Sequence, residues 1–210
     1  MNESFEQLDS DKKEMILKAA FNEFATKGFK SASTNSIVKE AEIGKGMLFH
    51  YFNNKKELFD DLIEIGIAFM EEMYSNLPIN EYVDFIEKCK IFSKIKMSKM
   101  VEKPEIFNFF SSIYINGYKD VTKEVSQHMM KVMKQVSDML YQNIDTSYFR
   151  DDIQSVMIIK LINWSMDGYQ MDLINQFKVA DYDTLESIDM KPYWDEYDEF
   201  LETLKILYYK

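Results

Sequence analysis

The stretch Ser33 to Leu58, STNSIVKEAEIGKGMLFHYFNNKKEL, reads as two short helices, a tight turn between them and the capped start of a third helix. Thr34 is placed as an N-cap, with Ile37, Val38 and Ala41 at helical spacing behind it. Glu42-Ile43-Gly44 breaks that period, and Gly44 suits a backbone that must turn sharply before helix resumes at Lys45. In the second helix Leu48 and Phe52 form an i,i+4 pair facing inward with Phe49 beside them, while Met47, His50 and Tyr51 share the opposite face. Lys45 and Gly46 sit at its exposed tip. Asn54-Lys55-Lys56-Glu57 is a capping-box pattern ahead of an apolar run, the signature of a longer helix. Two helices about a tight turn, with a basic outward tip, form a DNA-reading unit.

The segment resembles the N-terminal domain of the TetR family, the tetracycline-repressor-like bacterial transcription regulators. Thr34, Ile37, Ala41, Ile43, Gly46, Leu48, Tyr51, Phe52, Lys55 and Leu58 match the family pattern, and the likeness continues upstream through Ile16 to Phe21 and Lys27-Gly28-Phe29. Three positions depart: Glu42 stands where the family has a turn Gly, Gly44 where it has Ser, and Phe49 where it has Tyr. Phe49 is therefore assigned to the core. The resemblance implies an operator-binding repressor, with Tyr51 and Lys55 at phosphate-contact positions, a small-molecule pocket in the C-terminal region and no enzymatic activity. The DNA-binding set is Thr34, Lys45, Gly46, Met47, His50, Tyr51 and Lys55.

Charge supports this division. The chain carries 25 basic and 36 acidic residues, a net charge of −11, which argues against a protein that coats DNA nonspecifically. From Lys27 to Lys56, however, six lysines stand against Glu40 and Glu42, whereas from Phe59 onward there are 16 basic and 27 acidic residues. The positive patch lies on the helix–turn–helix and the remainder repels phosphate. With Arg150 the only arginine, Lys45 becomes the expected reader of guanine.

Only three prolines and six glycines punctuate the chain, and strict alternation of β-branched residues is absent, so the fold class is all-α with about nine helices. After a brace from Ser10 to Lys27, with Met15, Ala19, Phe21 and Phe24 inward, and the helix–turn–helix itself, helices are expected over Asn54–Leu77, Asn80–Glu102, from Pro104, over Asp120–Asn143, over Arg150–Phe177 and from Pro192. The domain boundary is placed between 56 and 57: residues 1–56 bind DNA, and 57–210 bind effector and dimerise. Helices at about 150–177 and 193–208 are apolar on more than one face, which predicts a homodimer with a four-helix interface. The lysines of the fifth helix (88, 90, 94, 96 and 99) read as a solvated face, and the acidic run Asp181 to Asp189 as a loop.

Chemistry is sparse. His50 and His128 are the only histidines and Cys89 the only cysteine, too few for a metal cluster, a triad or a disulfide, and no Gly-rich phosphate loop occurs. No metal and no cofactor are expected. His128 reads as a surface residue and Cys89 as a small buried one. The N-terminus has no signal-peptide pattern and no apolar run approaches the ~20 residues of a membrane helix, so a cytoplasmic protein is expected. The aromatic stock of the C-terminal part, singly core, collectively suggests an effector site formed by Phe69, Met73, Phe109, Phe110, Tyr114, Tyr118, Trp164 and Asp167, for a hydrophobic or aromatic small molecule. A ligand filling space beside Phe69 and Met73 would tilt the helix that starts at Asn54, making it a lever onto DNA. Two other classes stay open at this stage. One is a helical protein-interaction module; the other is an enzyme on a helix–turn–helix scaffold, disfavoured because no acid, base and nucleophile constellation is present.

Overall fold

Polar side chains set the main helix starts. Asp9 accepts from the amide of Lys12 at 2.9 Å, Asn54 from the amides of Lys56 and Glu57 at 2.9 and 3.0 Å, and Asp84 from those of Ile86 and Glu87 at 2.9 and 3.2 Å. Each satisfies donors that the first helical turn leaves without intrahelical partners. The computed structural model describes residues 3–75, 77–116, 118–179, 189 and 191–210. Among these residues there are ten α-helices and no strand: α1 Glu3–Glu6, α2 Ser10–Ser31, α3 Thr34–Glu40, α4 Lys45–Tyr51, α5 Lys55–Ser75, α6 Phe85–Glu102, α7 Pro104–Ile115, α8 Lys123–Tyr141, α9 Ser155–Val179 and α10 Lys191–Tyr208. The all-α expectation holds, with α1 as an element the sequence reading missed. The acidic run 181–188 lies outside the described residues.

The chain folds as two compact units, Met1–Asn76 with Lys103–Gln135, and Leu77–Glu102 with Val136–Lys210. The first therefore runs past the expected boundary at residue 56 and also takes in α7 and most of α8.

In the first unit, Ile16, Ala20 and Phe24 form the buried stripe of α2, while Met15, expected inward, is 45% exposed. Gly28 ends the regular helix with φ +68°, a left-handed conformation that glycine adopts without Cβ strain. α7 is apolar nearly all round because it fills this unit: the Phe109 ring meets those of Phe21 at 5.2 Å and Phe59 at 5.4 Å. α8 lays Val125, Met129 and Val132 into the same core. On its rim His128 is held by two glutamates of α5, with Nδ1 2.8 Å from Glu64 and Nε2 3.7 Å from Glu71. His128 is thus a side-chain bridge between helices rather than a bare surface residue.

The second unit is built on α6, α9 and α10 around Phe85, Ile86, Cys89, Ile158, Ile162, Tyr197 and Leu201. α6 begins at Phe85 instead of Asn80, because Pro78–Glu81 forms a 3-10 turn and Asp84 supplies the cap. Similarly α9 begins at Ser155 instead of Arg150, whose amide donates to Tyr208 O at 2.9 Å and whose guanidinium forks onto Asp152. The lysines of α6 are not a solvated row. Lys88 is fully buried and donates to the carbonyl of Gln142, closing the C-terminus of α8; Lys90 and Lys94 flank Asp198 of α10 at 3.0 and 3.4 Å. Burial pushes the Cys89 thiol up to about 12, so the expectation of an inert buried residue stands.

Candidate nucleic-acid interface and effector cavity

The recognition unit is carried from behind. Ile37 of α3, Ala41 of the turn, Leu48 of α4 and Phe52 just after it are all buried in the same core as α2 residues Ile16, Ala20 and Phe24. With that face spent on the core, α4 presents Lys45, Gly46 and His50 to solvent and keeps Met47 half-buried. A Cβ at Gly46 would meet nothing within 4 Å, so the tip is open for the approach of a duplex. Thr34 is the first residue of α3 rather than its cap. Ser33 holds the extended cap position (φ −112°, ψ 118°), and its own amide donates to Glu23 at 2.8 Å.

The turn differs from expectation in where the strain lies. Gly44 has an ordinary extended conformation (φ −74°, ψ 145°), whereas Glu42 takes the left-handed one with φ +52°. The residue standing where the related pattern carries glycine is the one that bears the positive φ.

Two expected phosphate contacts are engaged elsewhere. Tyr51 is 7% exposed, and its ring lies 5.6 Å from that of Phe5, which also packs on Phe52 at 5.0 Å; the side chain serves as a wall of the core behind α4. Lys55 donates to the carbonyls of Lys30 and Ala32 at 3.2 and 2.9 Å and stands 4.9 Å above the Phe29 ring. It ties the end of α2 to the start of α5. The α5 amides of Lys56 and Glu57 are taken by Asn54, as the capping-box pattern implies. Phe49, assigned to the core, is instead half-buried with the Lys45 ammonium 6.0 Å from its ring centre. Sequence reasoning missed Phe5: a single aromatic in a polar, acidic leader carries no periodic signal.

A cavity of about 330 Å³ opens in the second unit, walled by α6, the end of α8, α9 and α10. Of the expected ligand set only Asp167 lines it. Phe69 packs on Phe107 with centroids 6.3 Å apart, and Met73 and Phe109 are buried in the first unit. Phe110 presses against Gly66, while Tyr114 and Trp164 are 70% and 62% exposed. Tyr118 lines only a 20 Å³ crevice beside Gly28. The reason is packing: α7 covers α2 and α5, so its aromatics are consumed by that core. The direct lever, a ligand wedged beside Phe69 and Met73, is not supported by this cavity, which neither residue lines. The residues that do line the space include Phe92, Lys96, Met97, Met100, Met166 and Trp194.

Among the described residues no group of acidic, His or Cys side chains is arranged to hold a metal ion, and no helix is long and apolar enough to cross a membrane.

Residues 16–62 match the family model for bacterial regulatory proteins of the tetR family. The HTH-type transcriptional regulator YhgD of Bacillus subtilis is 36% identical over 78 residues, which is 35% of this chain and 41% of that relative, so the match spans less than half of YhgD. The negative transcriptional regulator of the biofilm operon icaADBC in Staphylococcus aureus, IcaR, is 22% identical over 165 residues, covering 72% of this chain and 81% of its own. A TetR-family regulator from Chloroflexus aurantiacus has the same fold, with a TM-score of 0.70 and 18% identity over all of this chain and 98% of that one. The matched segment is the one that α2 through the start of α5 build into a braced helix–turn–helix, and this segment is an N-terminal domain of the tetR family of bacterial regulatory proteins.

Proposed function

We propose that the protein is a ligand-responsive repressor of the cytoplasm, a homodimer that leaves a palindromic operator when a mostly apolar small molecule enters the cavity of its second unit. The observation that carries the DNA-binding half is α4, whose apolar side is locked into the core while Lys45, Gly46 and His50 face outward. The reading function is assigned to Thr34, Lys45, Gly46, Met47 and His50, with Tyr51 and Lys55 as supports. The functional division keeps DNA reading within residues 1–56 and effector binding and dimerisation within 57–210. Repression is favoured by likeness to IcaR, a negative regulator.

Dimerisation through α9 and α10 is supported by apolar side chains that stay on the outside of these helices: Val156, Trp164 and Met171 of α9 and Ile206 of α10. An isologous pairing would place one α4 in each half-site of an inverted repeat, about 34–36 Å apart. Coupling would run through the chain itself, since α6, which lines the cavity, is followed after the single residue Lys103 by α7, which packs on α2.

The test is equilibrium binding to the inverted repeats upstream of the protein's own gene, against scrambled duplexes of equal length. Preference for one repeat by on the order of 10³ at physiological salt is expected, together with a dimer in sedimentation. Equal affinity for repeat and scrambled DNA would sink the proposal.

A further inference from the structure

We propose that Lys96 makes the second-unit cavity a receptor for small aromatic carboxylic acids, with the ammonium taking the carboxylate and the aromatic and thioether walls taking the ring. This rests on the reading that the cavity admits the effector. It adds the effector's chemical class.

The polar inventory of the cavity is the argument. Tyr197 donates to Ser93 at 2.7 Å, and Asn163 donates to Tyr141 at 2.8 Å, so these polar groups satisfy one another. Among the described residues Lys96 makes one bond, from Nζ to Gln170 Oε1 at 3.0 Å. An ammonium has three donors, which leaves two for a guest. Among the described residues no carboxylate lies within ion-pair distance of Lys96, whereas its neighbours on α6 are paired: Lys90 and Lys94 with Asp198, and Lys99 with Glu102.

Burial lowers the pKa of Lys96, and Asp167 acting through space only partly offsets this. A half-buried ammonium without a counter-ion gains more from an incoming anion than a hydrated one does. Asp167 offers the opposite option, an amine ligand, but it is exposed to water, and an exposed carboxylate gains little from pairing. The site therefore favours an acid.

The walls choose the body. Phe92, Met97, Met100, Met166 and Trp194 present flat or polarizable surfaces suited to an aromatic ring. At about 330 Å³ the cavity lies near the lower end of the ~300–1,000 Å³ typical of ligand sites, which favours one or two fused rings over a long acyl chain.

Full-length protein is titrated with naphthoate, with neutral naphthamide and cationic naphthylmethylamine as isosteric controls, reading Trp194 fluorescence in a Trp164→Phe background and the melting temperature. Naphthoate is expected to bind saturably and at least about tenfold tighter than either control. In Lys96→Met the preference for the acid disappears while naphthamide affinity is retained, showing an intact cavity. Equal binding of acid and amide by the wild type, tightest binding of the amine, no saturable binding of any of the three, or retained acid preference in Lys96→Met would each overturn the assignment. Operator affinity is measured in parallel: tight naphthoate binding that leaves operator affinity unchanged would remove the repressor-release reading and leave the ligand class standing.

Discussion

Phe5 and Tyr51 meet edge to face with ring centroids 5.6 Å apart, which makes the N-terminal leader part of the recognition unit. Phe5 is 1% exposed, and it precedes the family-matched residues 16–62. Removing a fully buried Phe costs about 3–5 kcal/mol, and here the void would open directly behind α4. Phe5→Ala is expected to lower the urea midpoint of the first unit and to weaken operator binding, while Phe5→Leu recovers most of both. Unchanged stability in Phe5→Ala would show that the ring is not a support.

Gly66 faces the Phe110 ring so closely that a Cβ there would lie 2.2 Å from Cε2 and 3.4 Å from Ile106 Cγ2. Helix propensity favours Gly66→Ala by up to ~1 kcal/mol, but overpacking costs ~1–3 kcal/mol, so the clash wins unless the ring swings away. Gly66→Ala is expected to destabilise the protein. In the Phe110→Ala background the same change should turn neutral or favourable, giving a coupling of about 1–3 kcal/mol in a double-mutant cycle. Additive single effects would show that the two positions do not constrain each other. Gly168, with nothing within 4 Å, is the control at which Ala should be harmless.

The helix–turn–helix was legible because its signals are local. Asn54 and Glu57 form a reciprocal cap, with the Asn54 side-chain Nδ2 also donating to Glu57 Oε1 at 2.9 Å, and the stripe through Ile37, Ala41, Leu48 and Phe52 is buried as its spacing implies. The start of α6 was equally local but overlooked: Asp84 followed by Glu87 is an Asx-x-x-Glu pattern, masked by the apolar spacing of Tyr82 with Phe85. The effector site was not legible. Nothing in the α7 sequence says that Phe109 will be spent on Phe21 and Phe59, or that Asp198, far along the chain, will neutralise Lys90 and Lys94 while Lys96 has no ion-pair partner among the described residues. Those are tertiary choices, set by which face of each helix finds a partner.

Glu42 holds φ +52° in the turn between α3 and α4. A left-handed backbone costs a residue with a Cβ about 1–2 kcal/mol, and glycine escapes it at the expense of greater freedom when unfolded. Glu42→Gly is expected to stabilise the fold by about 1 kcal/mol and, by removing an acid beside Lys45, to raise operator affinity with little change in sequence preference. A lower melting temperature in Glu42→Gly would contradict the strain argument.

Substitution of Lys45 and Lys55 should separate distinct roles that their shared charge conceals. Lys45 is exposed at the tip of α4, so Lys45→Ala is expected to cost about 1–3 kcal/mol of operator binding and to relax sequence preference. Lys55 is bound to the Lys30 and Ala32 carbonyls, so Lys55→Ala should lower thermal stability and weaken all duplexes alike through a loosened α2–α5 connection. A salt slope reduced by about one unit in Lys55→Ala, with stability intact, would instead restore it as a direct phosphate contact.

Asp198 gives the acid limit of the second unit. Its carboxylate sits between Lys90 at 3.0 Å and Lys94 at 3.4 Å, tying α10 to α6. Burial pushes its pKa up, but the bonds and charges of the two lysines together outweigh burial and hold it below the ordinary carboxylate value. A depressed folded pKa means that the unfolded state binds the proton more readily. The contribution is therefore fully present above the unfolded value near ~3.9 and lost as the pH falls through the lower folded value. Since the side chain is 39% exposed, solvent screening keeps the contribution within the ~0–1 kcal/mol of surface pairs. Asp198→Asn is expected to melt slightly below the wild type at neutral pH, with the gap closing as the pH drops below about 4. A gap that stayed constant down to pH ~2 would assign the loss to packing rather than to the charge.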